Sequence, residues 1–316
     1  MSNLRIGIDF GGTGIKIALV SKTGELLKFN EFPTPKNPEP LIITQQIKNS
    51  IESLLDRTSA TQIRQIPIGV GVAGDIDHAT GVVRYSPNLS WKNIPLKRLL
   101  TQRLKQKIFI DNDANAAAWA AYIVDAKRKV SNLIAITLGT GVGGGVIINK
   151  SIYRGSTNSA GELGHMTFVP NGLLCLCGNH GCVERYIGAK AMVDEVKDRL
   201  SKGQKTLISK MISGAVDKLS PVLILEAAKR NDRFALGIWR SMGERLGIAM
   251  SSLVNLLNPD LIVLSGGLSR AGKNLLIPAK RTLKANSFLT PAKHVQLKVS
   301  KLDKHLGVVG AALLVP

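Results

Sequence analysis

The sequence predicts an α/β protein of two lobes, and three observations carry that expectation. A strand, a glycine turn and a second strand occur twice, near residues 6–20 and again near 133–149. At 316 residues the chain is long enough for two domains. Apolar residues make up 44% of it, enough for buried cores, and aromatics only 4%, so Ile, Leu, Val and Ala must form those cores.

Residues 4–10 alternate as a strand and turn at Gly11-Gly12; residues 14–20 form the return strand, and 22–25 the next hairpin turn. A third strand covers 25–31. Pro33, Pro35, Pro38 and Pro40 break the chain before a helical pattern over 41–55. The β-branched run 66–71 predicts a buried strand, 107–110 another, and 112–122 an alanine-rich helix. The second cycle has a strand at 132–138, a glycine turn over 139–145 and a strand at 146–149. A long amphipathic helix follows at 233–257, then a strand at 261–265 stopped by Gly266-Gly267, and a last helix at 305–314. The lobe boundary is expected between the two cycles, with residues 1–118 and 303–316 in one lobe and 119–302 in the other.

Bulk properties narrow the function classes. The N-terminal residues run straight into a strand with no separate apolar region of a signal peptide. No apolar stretch approaches the roughly 18 residues of a membrane span. A cytoplasmic protein without a membrane partner is expected. The net charge of +20 raises nucleic acid or a polyphosphate as partners, yet the basic residues are dispersed, with no run longer than three, as on a solvated surface.

Asp9-Phe10-Gly11-Gly12-Thr13 lies between two strands. Glycines there permit a tight turn and close approach of phosphate oxygens to N–H groups. Thr13 can donate to a phosphate, and Asp9 can hold Mg²⁺ through water. Taken alone, the same residues also suit a simple hairpin. Residues 139–145 place five glycines among seven, which regular structure alone does not favour. Gly266-Gly267 ends a third strand, where a flat nucleoside could pass. No P-loop or dinucleotide fingerprint appears at these turns.

Asp111-Asn112-Asp113-Ala114-Asn115 stands where a strand gives way to a helix. An Asp there can serve as an N-cap, but two Asp and two Asn exceed what one cap requires. Phosphoryl transfer to a sugar hydroxyl needs a carboxylate to take the proton and amides to hold neighbouring hydroxyls. Asp113 and Asn112 satisfy that chemistry, Glu162 can accept from sugar hydroxyls, and Asn88 is a further candidate in a loop.

All three cysteines, Cys175, Cys177 and Cys182, fall within eight residues, which suits a metal far better than a disulfide framework. Three thiolates and one imidazole make a closed tetrahedral zinc site. Spacing alone leaves His165 and His180 as alternatives for the fourth ligand.

Together these elements resemble the ROK family of sugar kinases and repressors (repressor, open reading frame, kinase). The motifs occur in the family's order along nearly the whole chain: GIDFGGTGIK, GVAGDID, PNLSWKNIPL, DNDANAAA, ITLGTGVGGG, GELGHM, CLCGNHGCVE and VLSGG. The resemblance implies the actin-like, hexokinase-type two-lobe fold, with the final helix returning to the first lobe. It implies Asp113 as the base for the sugar 6-hydroxyl, and Gly74, Asn88, Asn112, Glu162, His165 and Glu184 around the sugar. It places Asp9, Gly11, Gly12, Thr13, Lys16, Thr140, Gly141, Gly266 and Gly267 around ATP. It assigns structural Zn²⁺ to His165, Cys175, Cys177 and Cys182, in preference to His180, and implies a homodimer.

The expected activity is therefore Mg-ATP-dependent phosphorylation of a hexose, glucose first, with mannose, fructose or an N-acetylhexosamine as alternatives. The Gly-Ile-Lys run is similar to that of polyphosphate glucokinases, which typically lack the cysteine cluster; the net charge keeps polyphosphate open as a second donor. A sugar-responsive regulator would need a DNA-reading head, and only five residues precede Ile6. A sugar-binding protein without catalysis is disfavoured by the intact Asp113 and glycine turns.

Overall fold

In the computed structural model, residues 3–55 and 65–316 are described. The chain forms two compact units. The first comprises Met1–Ala135, Gly144–Gly161 and Ser300–Pro316, the second Ile136–Gly143 and Glu162–Val299. Residues 119–135 and 144–161, expected in the second lobe, group with the first unit. A division at 118/119 would cut the helix Asp113–Ala120.

The first unit is built on strands β1 (Leu4–Phe10), β2 (Gly14–Ser21), β3 (Leu26–Pro33), β4 (Ile68–Val72) and β8 (Ile108–Asn112), in the order β3-β2-β1-β4-β8. The first three form an antiparallel meander, and β1, β4 and β8 run parallel. Alternation along β1 sorts its side chains between the two faces. Ile6, Ile8 and Phe10 join one buried cluster with Ile43, Ile47 and Ile51 of helix Pro40–Leu54 and Leu96 and Leu100 of helix Leu96–Leu104. Pro40, expected only to break the chain, opens that helix, where its missing N–H costs nothing.

On the opposite face the glycines face helix Leu306–Leu313. A Cβ on Gly7 would collide with the Val308 carbonyl, and one on Gly69 with the Ala311 carbonyl. Gly310 meets the backbone of Ala116 in the same way. Helix and sheet therefore touch backbone to backbone along this stripe.

A small antiparallel sheet of β5 (Asp75–Asp77), β6 (Val82–Ser86) and β7 (Trp91–Ile94) extends the first unit. Arg84 holds it through both carboxylate oxygens of Asp75, at 2.9 and 2.6 Å, and through Ser159 Oγ at 3.0 Å. Burial works against the Asp75 charge, but the Arg84 and Ser159 hydrogen bonds outweigh it and hold its carboxyl below the usual range.

The second five-stranded sheet has the order β11-β10-β9-β12-β13, from β9 (Leu133–Leu138), β10 (Val142–Ile148), β11 (Ser151–Ile152), β12 (Leu261–Ser265) and β13 (Gln296–Val299). The expected glycine turn over 139–145 is shorter than predicted. Only residues 139–141 turn, and Gly143, Gly144 and Gly145 lie inside β10. At Gly145 a neighbour comes close: a Cβ there would lie 2.7 Å from the Ala118 Cβ and collide with the Ala114 carbonyl.

In the second unit the long helix Arg233–Leu257 packs on helix Lys273–Asn286 through Gly243 and Gly247. Asp232 caps the long helix by accepting from Ala235 N at 2.7 Å. No helix among the described residues is long and apolar enough to cross a membrane.

Candidate active site and metal centre

Parallel register brings three chain segments to one edge of the first sheet. Phe10 pairs with Val72, and Val72 with Asn112. The chain beyond each strand therefore begins at the same level, giving Gly11-Gly12-Thr13, Ala73-Gly74 and Asn112-Asp113 as neighbours. Carboxyl edges of such sheets are where α/β proteins bind ligands.

The first turn closes through Gly11 N donating to Gly14 O at 3.1 Å. Thr34 pins it, its hydroxyl donating to Gly11 O at 2.7 Å and its N–H to Thr13 O at 3.2 Å. The Thr13 side chain is left exposed. Lys16 Nζ lies 3.2 Å from Asp9 Oδ2. A Cβ on Gly12 would stand 2.7 Å from the Asn88 Cβ, so the phosphate-type turn and the Asn88 loop are in contact. Leu89 and Trp91, both buried, anchor that loop and leave Asn88 exposed. Gly74 has φ +135°, and a Cβ there would stand 2.7 Å from Tyr85 O and 2.8 Å from Ser86 Cβ, which leaves no room for a side chain.

Asn112, not an aspartate, caps helix Asp113–Ala120. Its Oδ1 accepts from Ala114 N at 2.8 Å and Asn115 N at 3.2 Å. Its Nδ2 donates to Gly74 O at 3.0 Å, which leaves one amide hydrogen for a ligand. Asp113 Oδ1 accepts from Ala114 N at 2.9 Å, and the residue is half-buried.

In the second unit, the turn 139–141 closes with Gly139 N donating to Gly141 O at 3.1 Å. It sits on the start of helix Ala189–Ser201, where Ala189 N donates to Gly139 O at 3.0 Å and Lys190 N to Thr140 O at 3.3 Å. Thr140 is exposed, and a Cβ on Gly141 would collide with the Glu184 carboxylate. Gly266, at φ +89°, lies against the backbone of Leu138, while Gly267 faces open space.

His165, Cys175, Cys177 and Cys182 present their ligand atoms within 4.8 Å of one another. Cys175 Sγ is 3.7 Å from His165 Nδ1, and Cys177 Sγ 3.7 Å from Cys182 Sγ. The sulfurs are unbonded thiols. Their separations suit donors around a common centre, and three sulfurs with one imidazole are the donor set of structural zinc. Backbone turns shape the cluster: Cys175 N donates to Asn179 O at 2.8 Å and Gly178 N to Cys175 O at 3.0 Å. His180 is outside it, exposed, with Nδ1 3.0 Å from Gly172 O.

His165 uses its two ring nitrogens differently. Nδ1 faces Cys175, whereas Nε2 lies 3.9 Å from Glu162 Oε2. Glu184 Oε1 accepts from Cys175 Sγ at 3.1 Å. Glu162, His165, Glu184 and Gly141 thus form one contiguous group with the cysteines. Burial pushes the Cys175 thiol up to about 12, with Glu184 adding to it. At Cys177 burial also opposes ionisation, but the Asn179 N–H and the other two thiols outweigh it and hold the thiol below its usual value. A bound cation would draw off all three thiol protons.

The family model described as "ROK family" matches residues 5–316. The chain belongs to the ROK family. A glucokinase of Halalkalibacterium halodurans is 34% identical over 314 residues, spanning 98% of this chain and 94% of the relative. The crystal structure of a ROK family glucokinase from Streptomyces griseus, in complex with glucose and AMPPNP, aligns with a TM-score of 0.86 at 32% identity, covering 98% of each chain. A xylose repressor of Caldicellulosiruptor bescii is 32% identical over 314 residues, spanning 98% of this chain and 77% of that one. The actin-like two-lobe fold expected from sequence is the fold of these ROK structures.

Two residues of this ROK chain were not singled out from sequence. Asp111, 2% exposed, hands Oδ1 to Asn112 N at 2.8 Å and to Asn115 Nδ2 at 2.9 Å. Its Oδ2 accepts from Arg154 Nε at 2.9 Å and Nη2 at 2.6 Å. The surplus of acids in the segment 111–115 was the one available signal for Asp111. Nothing in the sequence announces Arg154.

Proposed function

We propose that this chain transfers the terminal phosphoryl group of ATP to the 6-hydroxyl of a hexose, with glucose as the preferred acceptor. The observation that carries the proposal is the common edge of β1, β4 and β8, where a phosphate-type glycine turn, the Asn88 loop and the Asn112-Asp113 pair are neighbours. The glucokinase relatives supply the choice of sugar.

In this reading Asn88 and Asn112 donate to sugar hydroxyls and Gly74 keeps the floor of the loop free of side chains. Asp113 takes the proton as the 6-oxygen bonds to the γ-phosphorus and the bond from phosphorus to the ADP oxygen breaks. Such a base contributes roughly 10²–10⁴-fold, and positioning and charge neutralisation supply the rest. In the second unit, Glu162, Glu184 and His165 are the candidates for holding sugar hydroxyls, on the resemblance alone. Gly12 and Thr13 offer N–H and hydroxyl donors to phosphates on the turn that Gly11 closes, Thr140 and Gly141 form the second unit's turn, and Gly267, beside the packed Gly266, leaves space for the nucleoside. Mg²⁺ would arrive with the nucleotide, with Asp9 as its protein partner through water and Lys16 beside it. Zn²⁺ on His165, Cys175, Cys177 and Cys182 would fix the loops carrying Glu162 and Glu184. The reading includes a homodimer, for which the exposed apolar Leu256, Phe288 and Leu289 provide a surface.

The deciding experiment measures ADP release with ATP and a panel of glucose, mannose, fructose, N-acetylglucosamine and N-acetylmannosamine. Turnover highest with glucose supports the proposal. No turnover with any sugar, together with tight xylose binding, would favour a sugar-sensing role like that of the repressor relatives. Polyphosphate as donor is a variant of the same reaction, and its activity should fall more steeply with salt than that of ATP.

A further inference from the structure

Asp9, next to last in β1, carries the carboxylate assigned above to Mg²⁺. Two distant parts of the first unit meet it. Lys16 pairs with Asp9 in the β1–β2 ladder, and its Nζ lies 3.2 Å from Asp9 Oδ2. The other is the first turn of helix Leu306–Leu313, near the end of the chain. A Cβ on Gly307 would stand 2.7 Å from Asp9 Oδ2, 3.0 Å from its Cγ and 3.3 Å from its Oδ1. All three of the nearest atoms belong to that one carboxyl group.

Nothing in the helix itself asks for glycine at 307. Gly307 is not among the glycines with positive φ, so its backbone suits any residue, and alanine is the better helix former. Gly310, the other glycine of this helix, differs: a Cβ there would collide with the backbone of Ala116, which cannot yield. At Gly307 the methyl would meet only the end of a side chain, and that end would have to shift. The Asp9 side chain is 13% exposed. It is open enough to meet a water on an incoming cation and too enclosed to relocate freely, which suits a carboxylate partner of Mg²⁺.

We propose that Gly307 is a positioning residue for the nucleotide's metal: the bare Cα of the final helix, together with Lys16, sets where the Asp9 carboxylate stands. The inference rests on the role given to Asp9 in the proposed function. It makes the last helix part of the phosphate-type turn at the start of the chain.

The test compares Gly307→Ala with the wild type in two measurements that involve no turnover. Calorimetry reads ADP binding with and without Mg²⁺, and thermal unfolding reads stability. Mg²⁺ should tighten ADP binding to the wild type. In Gly307→Ala that gain should shrink at least fivefold, binding of ADP without metal should stay within twofold, and the melting temperature should be no lower than that of the wild type. Asp9→Ala removes all three atoms that the methyl meets. Adding Gly307→Ala to it should therefore change the remaining metal gain by less than twofold. An unchanged Mg²⁺ gain in Gly307→Ala, equal losses of ADP binding with and without metal, a lowered melting temperature, or a further loss in the Asp9→Ala background would each overturn the inference. No Mg²⁺ gain in the wild type would instead remove Asp9 from its assigned role, and the inference with it.

Discussion

Arg154 grips one oxygen of the buried Asp111 carboxylate with Nε and Nη2, at 2.9 and 2.6 Å, while the other oxygen holds the backbone of Asn112. The residue before the proposed sugar ligand and base is therefore fixed by a cation 43 positions further along the chain. Removing one partner of a buried ion pair leaves the other uncompensated, at a cost of about 3–5 kcal/mol. Arg154→Met should lower unfolding free energy by about that amount and reduce turnover. Arg154→Met with Asp111→Asn should recover part of the stability, as urea unfolding of the full double-mutant cycle would show. Additive losses would mean the pair is not coupled.

Asp113→Asn keeps shape and removes the proton acceptor. Turnover should fall by about 10²-fold or more, while glucose binding measured by calorimetry changes little. A variant that turns over at the wild-type rate would remove Asp113 from its proposed role.

The cysteine cluster predicts about one zinc per chain by elemental analysis, a count that follows from one closed four-ligand set. Cys177→Ser should lose the metal and lower the melting temperature, and a strong chelator should do the same to the wild type. His180→Ala should retain the metal, because His180 lies outside the cluster.

Asp232 gives a pH-dependent prediction. Burial raises its pKa, but N–H groups of Leu207 and Ala235 and the Thr206 hydroxyl outweigh that and hold it below the usual 3.8. A depressed carboxyl stabilises the fold above the unfolded-state value and loses that contribution as pH falls through the folded one. Asp232→Ala should cost about 1 kcal/mol near neutrality. The gap to wild type should shrink below pH about 4, read as melting temperature against pH.

Much of this was legible in the sequence because it rests on local rules. The strands β1, β9 and β12 announce themselves as apolar, β-branched runs stopped by glycine. The Cys175–Cys182 spacing announces a metal whichever histidine completes it. What was illegible depends on distant partners. Gly143, Gly144 and Gly145 read as a turn because glycine weakens strands, yet Gly145 is there for close approach to helix Asp113–Ala120. The helix cap is Asn112, the residue just before Asp113, while Asp111 is held by Arg154, a pairing no local pattern encodes. Helix Leu96–Leu104 was missed although Leu96, Leu100 and Leu104 bury at four-residue spacing, because nine residues carry only two turns of that pattern.

The glycine stripe under helix Leu306–Leu313 has a consequence for biosynthesis. The backbone that covers Gly7 and Gly69 leaves the ribosome about 300 residues after β1, roughly 15–60 s later at ordinary elongation rates. Throughout that interval the nascent sheet has an apolar face with no native cover. The first unit therefore cannot complete its packing until helix Leu306–Leu313 has been made, and holding factors that shield the growing chain have a defined surface to recognise.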